Sequence, residues 1–108
     1  MNIEKNEYMD AYVLHIMKNL GSNIKIARER RGLSVKKLAQ ISFCDVEMVE
    51  KIERGDIDVE FSNIVRVLTS IYMDSEIKLI ACPGNDEIGI FLSRYYMNVK
   101  EDVDKYNF

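Results

Sequence analysis

The feature that most constrains this chain is a pair of short helical patterns separated by a tight turn, between residues 34 and 55. Ser34 precedes the first pattern, Asp45 precedes the second, and Gly55 follows its end. Serine and aspartate are favoured helix N-caps, and glycine readily takes the left-handed conformation that ends a helix. Ala39 is small, as a close helix crossing requires. The pattern predicts two packed helices over about Val35–Ile41 and 46–54.

A longer helix is predicted before this pair, over Tyr8–Arg31. Apolar residues recur there at three- and four-residue steps and so share one face. Gly21 interrupts the pattern, which indicates either a break or a point of close packing, and Gly32 is a suitable terminator. The predicted inward face comprises Val13, Ile16, Met17, Leu20, Ile24 and Ala27.

Three further helices are predicted after the pair. The first covers Phe61–Tyr72, the second is a short helix over 76–81 capped by Asp74 or Ser75, and the last begins at Asp86. The sequence Cys-Pro-Gly-Asn at 82–85 separates the last two, because proline and glycine together end regular structure. The predicted fold class is therefore all-α, with five or six helices.

The composition argues against a membrane protein, a metal-binding protein and an enzyme. A chain of 108 residues with 47% hydrophobic residues is expected to form one folded domain. It lacks a long apolar run, and its N-terminus is too acidic for a signal peptide, so we expect no membrane partner and a cytoplasmic location. Two isolated cysteines and one histidine predict neither a metal site nor a cofactor. No nucleophile–base pair or phosphate-binding glycine loop is evident, so we expect no catalytic residues and no enzyme.

Charge is unevenly distributed along the chain. Residues 22–56 hold eight basic and six acidic residues, a net +2, whereas the whole chain carries −3. The basic charge is thus weakly concentrated where the paired helices are predicted, which favours a nucleic-acid contact there over any other part of the chain.

The segment LGSNIKIARERRGLSVKKLAQ resembles the first two helices of Xre-type, lambda-repressor-like helix-turn-helix regulators, and VEKIERGD resembles the end of their third helix. Residues 55–96 are similar to a narrower group, the HipB-like antitoxins that pair with HipA-type kinases. Its short Asp-x-x-Gly-x-x-Leu motif corresponds to Asp86, Gly89 and Leu92. The resemblance implies a five-helix helix-turn-helix domain over 20–81, an N-terminal extension of the first helix over 1–19, and an extra C-terminal helix and tail over 82–108.

The resemblance also implies roles for particular residues. Arg28 and Glu53 correspond to an internal ion pair that ties the first helix to the third. Residues on the second and third helices would contact double-stranded operator DNA, with the cations on phosphates and the others near bases. These candidate DNA-binding residues are Val35, Lys36, Lys37, Val46, Glu47, Met48, Lys51 and Arg54.

Two departures from the family pattern leave an alternative open. Phe43 occupies the turn position where the family usually has glycine, so the turn is either strained or differently shaped. The outward side of the third helix carries Asp45, Glu47 and Glu50, which repel phosphates. The first hypothesis is a homodimeric regulator that represses its own toxin–antitoxin operon. The alternative is a protein-interaction module with weak or no DNA binding.

An apolar and aromatic run after Gly84 predicts a further contact surface, because it follows a core that is already complete. It is expected to contact a second copy of the chain or a partner such as a HipA-type kinase toxin. Its residues are Ile88, Phe91, Leu92, Tyr95 and Tyr96.

Overall fold

The computed structural model describes residues 6–106, and side chains as far as residue 98. Over those residues it contains α-helices and one 3-10 turn, Pro83–Asn85, but no strand. The all-α prediction is confirmed. In chain order the helices are α1 Glu7–Arg30, α2 Val35–Ser42, α3 Val46–Arg54, α4 Phe61–Ser70, α5 Asp74–Ile77 and α6 Glu87–Tyr106.

The chain divides into two compact units, one ending at Ser75 and one beginning at Glu76. We call them the N-terminal unit and the C-terminal unit. The predicted division at residue 82 lies further along the chain.

The N-terminal unit has a single apolar core to which α1, α2, α3 and α4 all contribute. In it α1 packs on α3, and α2 packs on both α3 and α4. Its buried apolar side chains are Ile24, Ala27, Leu38, Ala39, Val49, Ile52, Ile64, Val67 and Ile71. On α2 and α3 the buried apolar residues are Leu38, Ala39, Val49 and Ile52.

The inward face predicted for α1 is only partly correct. Met17 and Leu20 pack against the core, and Ile24 and Ala27 lie within it. Val13 and Ile16, however, are 41% and 47% exposed. The 24-residue α1 is about 36 Å long, whereas α2, α3 and α4 have eight to ten residues each. Its first ten residues therefore extend beyond the core.

Gly21 marks a point of close packing and not a break, because α1 continues through it. A Cβ atom at this position would lie 2.6 Å from the Glu53 carbonyl oxygen and would also collide with that of Ile52. The absence of a side chain lets α1 approach the end of α3 directly. This contact sets the position of α3 in the unit.

The bounds predicted for the fifth helix are wrong. α5 begins at Asp74, so neither Asp74 nor Ser75 precedes it as a cap, and it ends at Ile77. The chain continues in tighter i→i+3 turns, with Leu79 N–H donating to Glu76 O at 3.1 Å. Ala81 then takes a positive φ of 56°. Proline and the residue before it are both unfavourable in a helix, so Pro83 prevents any extension of α5 into residues 82 and 83, but it does not set the end at Ile77.

α6 begins where it was predicted. The Asp86 carboxylate accepts a hydrogen bond from Gly89 N–H at 2.9 Å, which caps the helix N-terminus. A Cβ at Gly89 would collide with that carboxylate. None of the side chains described from Glu76 to residue 98 is buried.

Across residues 6–106, no helix has both the length and the apolar character needed to cross a bilayer.

Candidate nucleic-acid interface

The two helices of the candidate site are joined by a three-residue turn that contains a left-handed phenylalanine. Phe43 has φ 57° and ψ 38°, so the structure shows the strained form of the turn and not a different shape. Cys44 N–H donates to Ala39 O at 3.0 Å, which closes the end of α2. The Phe43 ring is 86% exposed. A left-handed residue with a Cβ costs on the order of 1–2 kcal/mol, and no burial of the ring offsets this cost.

Both helices begin at the predicted side-chain caps. Ser34 Oγ accepts from Lys37 N–H at 3.0 Å, and Asp45 Oδ1 accepts from Met48 N–H at 2.7 Å. Gly55 ends α3 with φ 80°. A Cβ at Gly55 would lie 2.7 Å from the Cα of Lys18, so the end of α3 lies directly against α1. α3 thus has a capped N-terminus, and its C-terminal end is held against α1.

Arg28 and Glu53 form a bidentate ion pair between α1 and α3. Arg28 Nε and Nη2 donate to the two carboxylate oxygens of Glu53 at 2.7 and 3.0 Å, and Nη1 donates to Leu33 O at 2.9 Å. The two side chains are 11% and 9% exposed. The hydrogen bonds that Arg28 donates to Glu53 are the main reason why the pKa of Arg28 is raised. All these donors are used inside the unit, so Arg28 holds α3 in place and is not available to a ligand.

The four candidate phosphate-binding cations differ in availability. Lys36 and Lys37 lie exposed on the first turn of α2, and within the described residues neither forms an ion pair. Lys51 is half-buried, and its Nζ lies 3.8 Å from Glu47 Oε1. The freest cations are therefore the two on α2.

Arg54 is held by a carboxylate that the sequence analysis did not single out. Its Nε and Nη2 each donate to an Asp56 oxygen at 2.9 Å. That hydrogen-bonded contact lowers the pKa of the Asp56 carboxyl. At neutral pH both partners are charged, so Arg54 would have to exchange Asp56 for a phosphate in order to bind one. Arg54 and Asp56 are only two residues apart, but this spacing does not match the three- or four-residue repeat of a helix, so the sequence pattern did not indicate that they pair.

The outward side of α3 is partly apolar and partly acidic. Val46, Glu47 and Glu50 are exposed, whereas Met48 and Val35 are half-buried and pack against the core. Val35 and Met48 therefore present less surface to a ligand than the sequence implied. The side chains best placed for an external contact are Val46 and Glu47.

The aromatic surface of α6 belongs to the C-terminal unit. Ile88, Phe91, Leu92, Tyr95 and Tyr96 are all between 41% and 75% exposed. The rings of Tyr95 and Tyr96 meet edge to face with centroids 5.4 Å apart. Capping by Asp86 and the steric demand at Gly89 together account for the Asp-x-x-Gly part of the motif. That spacing therefore reports a helix start and does not identify a partner.

No family model, curated protein or solved structure matches the chain.

Proposed function

We propose that this protein is a DNA-binding transcriptional regulator with a lambda-repressor-like helix-turn-helix fold. The observation that carries the proposal is the α2–turn–α3 unit. Its second helix is fixed by Arg28–Glu53 and Gly21, its outward side is open to solvent, and two unpaired lysines lie at the start of its first helix. A rigid helix with an exposed outward side, next to cations on the preceding helix, is the arrangement by which such units enter the major groove.

Lys36 and Lys37 would supply the phosphate contacts, which position the protein without selecting a sequence. Base contacts would come from Val46 and Glu47 on α3. Valine can touch a thymine methyl group, and glutamate can accept a hydrogen bond from cytosine N4. Lys51 and Arg54 would add contacts only after leaving Glu47 and Asp56.

The biological setting that we propose is an autorepressing, HipB-like antitoxin that acts as a homodimer and pairs with a HipA-type kinase. Its support is the sequence resemblance over residues 55–96 together with the exposed aromatic surface of α6, which offers a place for a partner. In a two-fold dimer, the two α3 helices would enter successive major grooves about 34 Å apart.

A salt series on DNA from upstream of the gene tests the proposal. If Lys36 and Lys37 of each protomer touch phosphates, a dimer neutralises about four phosphates, and log K should fall with log salt at a slope of about −3.6. A slope near zero for DNA of every sequence would contradict the proposal.

A second candidate function is a protein-interaction module. It is favoured by the exposed acidic side chains of Asp45, which caps α3, and of Glu47 and Glu50 on α3, which follow the exposed ring of Phe43 in the chain. Such a surface suits a basic partner with an apolar pocket. Absence of DNA binding even at about 50 mM salt, where counterion release contributes most, would favour this function.

A further inference from the structure

The first three turns of α1 carry an apolar stripe that the core does not cover. We call this the α1 stripe; its residues are Tyr8, Met9, Tyr12, Val13 and Ile16. At 100° per residue they fall within an arc of about 140° on one side of the helix. Tyr8 is 90% exposed and Tyr12 is 63% exposed. Asp10, the only formally charged residue between Tyr8 and Met17, lies outside this arc.

A helical segment of this kind has little to stabilise it in an isolated chain. Residues 7–16 extend a helix that the packed part of α1 already nucleates, but in proteins most helical stability comes from packing an apolar face, and the stripe has no such packing. Residues 7–16 precede the part of α1 that packs on the core. A surface that packs against the stripe would supply the missing stabilisation.

The exposed area of the stripe fits a second copy of the same helix. The five side chains, from Val13 at 41% exposed to Tyr8 at 90%, present roughly 600 Å² per copy, so complete burial of the stripe in two copies would remove about 1,200 Å², the lower limit for a specific interface. The stripe carries no charge that would select a basic or an acidic partner. Its contacts are also self-complementary when two copies run antiparallel.

We propose that the α1 stripe is the homodimer interface, formed by two antiparallel α1 helices related by a two-fold axis. With the axis between Tyr12 and Val13, Met9 of one protomer lies opposite the partner's Ile16, and Tyr12 lies opposite the partner's Val13. Each contact then occurs twice, as an isologous interface requires. This inference rests on the proposed homodimer and assigns its surface to α1, which leaves the aromatic surface of α6 free for a different partner.

Sedimentation velocity over a concentration series of the full chain tests the assignment. We expect a dimer for the unmodified protein. Tyr12→Glu and Ile16→Glu should each raise the dimer dissociation constant at least about a hundredfold, because each places an unpaired charge in an apolar interface. Ala11→Glu adds the same charge to the same segment but outside the arc, and should leave the dimer intact. Phe91→Glu on α6 should also leave it intact.

Thermal melts followed by circular dichroism distinguish dissociation from unfolding. The substituted side chains lie outside the core, so each variant should still unfold cooperatively as a folded monomer.

A dimer that survives Tyr12→Glu and Ile16→Glu but dissociates with Phe91→Glu would overturn the α1 assignment and leave the proposed homodimer standing. An unmodified protein that stays monomeric at all concentrations would overturn both. DNA binding is measured separately in the salt series, so a failure of DNA recognition is distinguishable from either result.

Discussion

The N-terminal and C-terminal units use their apolar residues in opposite ways. In the N-terminal unit, α1 to α4 bury a continuous set of side chains, and Leu38, Val49 and Val67 have no exposed surface. In the C-terminal unit, the apolar side chains described as far as residue 98 all remain at least partly exposed, including Phe91 at 72%. The difference indicates that the N-terminal unit holds the stability of the fold, whereas the aromatic surface of α6 is available for a contact outside its own unit.

Matched leucine substitutions give the largest contrast. Leu38→Ala should reduce the free energy of unfolding by about 3–5 kcal/mol, because Leu38 is fully buried and its loss leaves a cavity. Leu92→Ala should change it little, because Leu92 is 41% exposed and belongs to the C-terminal unit. Urea unfolding measures both. If both variants lost a similar free energy of unfolding, the conclusion that the N-terminal unit provides most of the stability would be wrong.

The ion pair between α1 and α3 should give the next largest effect. Arg28→Ala leaves Glu53 and the Leu33 carbonyl without their partner and should cost about 3 kcal/mol, the low end for a buried pair, because both side chains retain slight exposure. Arg54→Ala removes an exposed pair and should leave the thermal melt nearly unchanged. An Arg28→Ala protein that melts like the unmodified protein would show that the pair does not hold α3 in place.

A substitution at Phe43, in the turn between α2 and α3, should give a smaller effect and should stabilise the fold. Phe43→Gly relieves the left-handed strain and should stabilise the fold by up to about 1 kcal/mol, although glycine's greater freedom in the unfolded chain reduces the gain. Phe43→Ala retains the strain and should have almost no effect, because the lost ring is exposed. Destabilisation by both variants in thermal melts would mean that the ring contributes packing to the turn.

Local chemistry explains which parts of this architecture the sequence could predict. Ser34, Asp45 and Gly55 act within three residues of their own positions, so their capping roles follow from the sequence alone. The exposed half of α1 was wrongly predicted to be inward, because periodicity shows which residues share a face but not how far the neighbouring helices extend along it. The bounds of α5 were wrong because the chain changes to i→i+3 turns after Ile77, a change that the apolar pattern of residues 76–81 does not reveal.

In the candidate site, the sequence predicted which side chains are exposed but not which of them pair with each other. The exposure of Lys36, Lys37 and Glu47 follows from their place opposite the apolar face. The pairing of Arg54 with Asp56 depends on the chain path after Gly55, which no periodic pattern encodes. That pairing changes which cations are available.

The salt dependence of DNA binding by the Lys36→Ala/Lys37→Ala double variant tests the proposed interface most directly. Lys36 and Lys37 are the cations that the described structure leaves unpaired on the helix before α3, whereas Arg54 is held by Asp56. We predict that the double variant loses nearly all of the slope of about −3.6, while Arg54→Ala, as the matched control, retains most of it. A double variant that binds upstream DNA with the unmodified slope would contradict the proposal that the start of α2 anchors this protein on DNA.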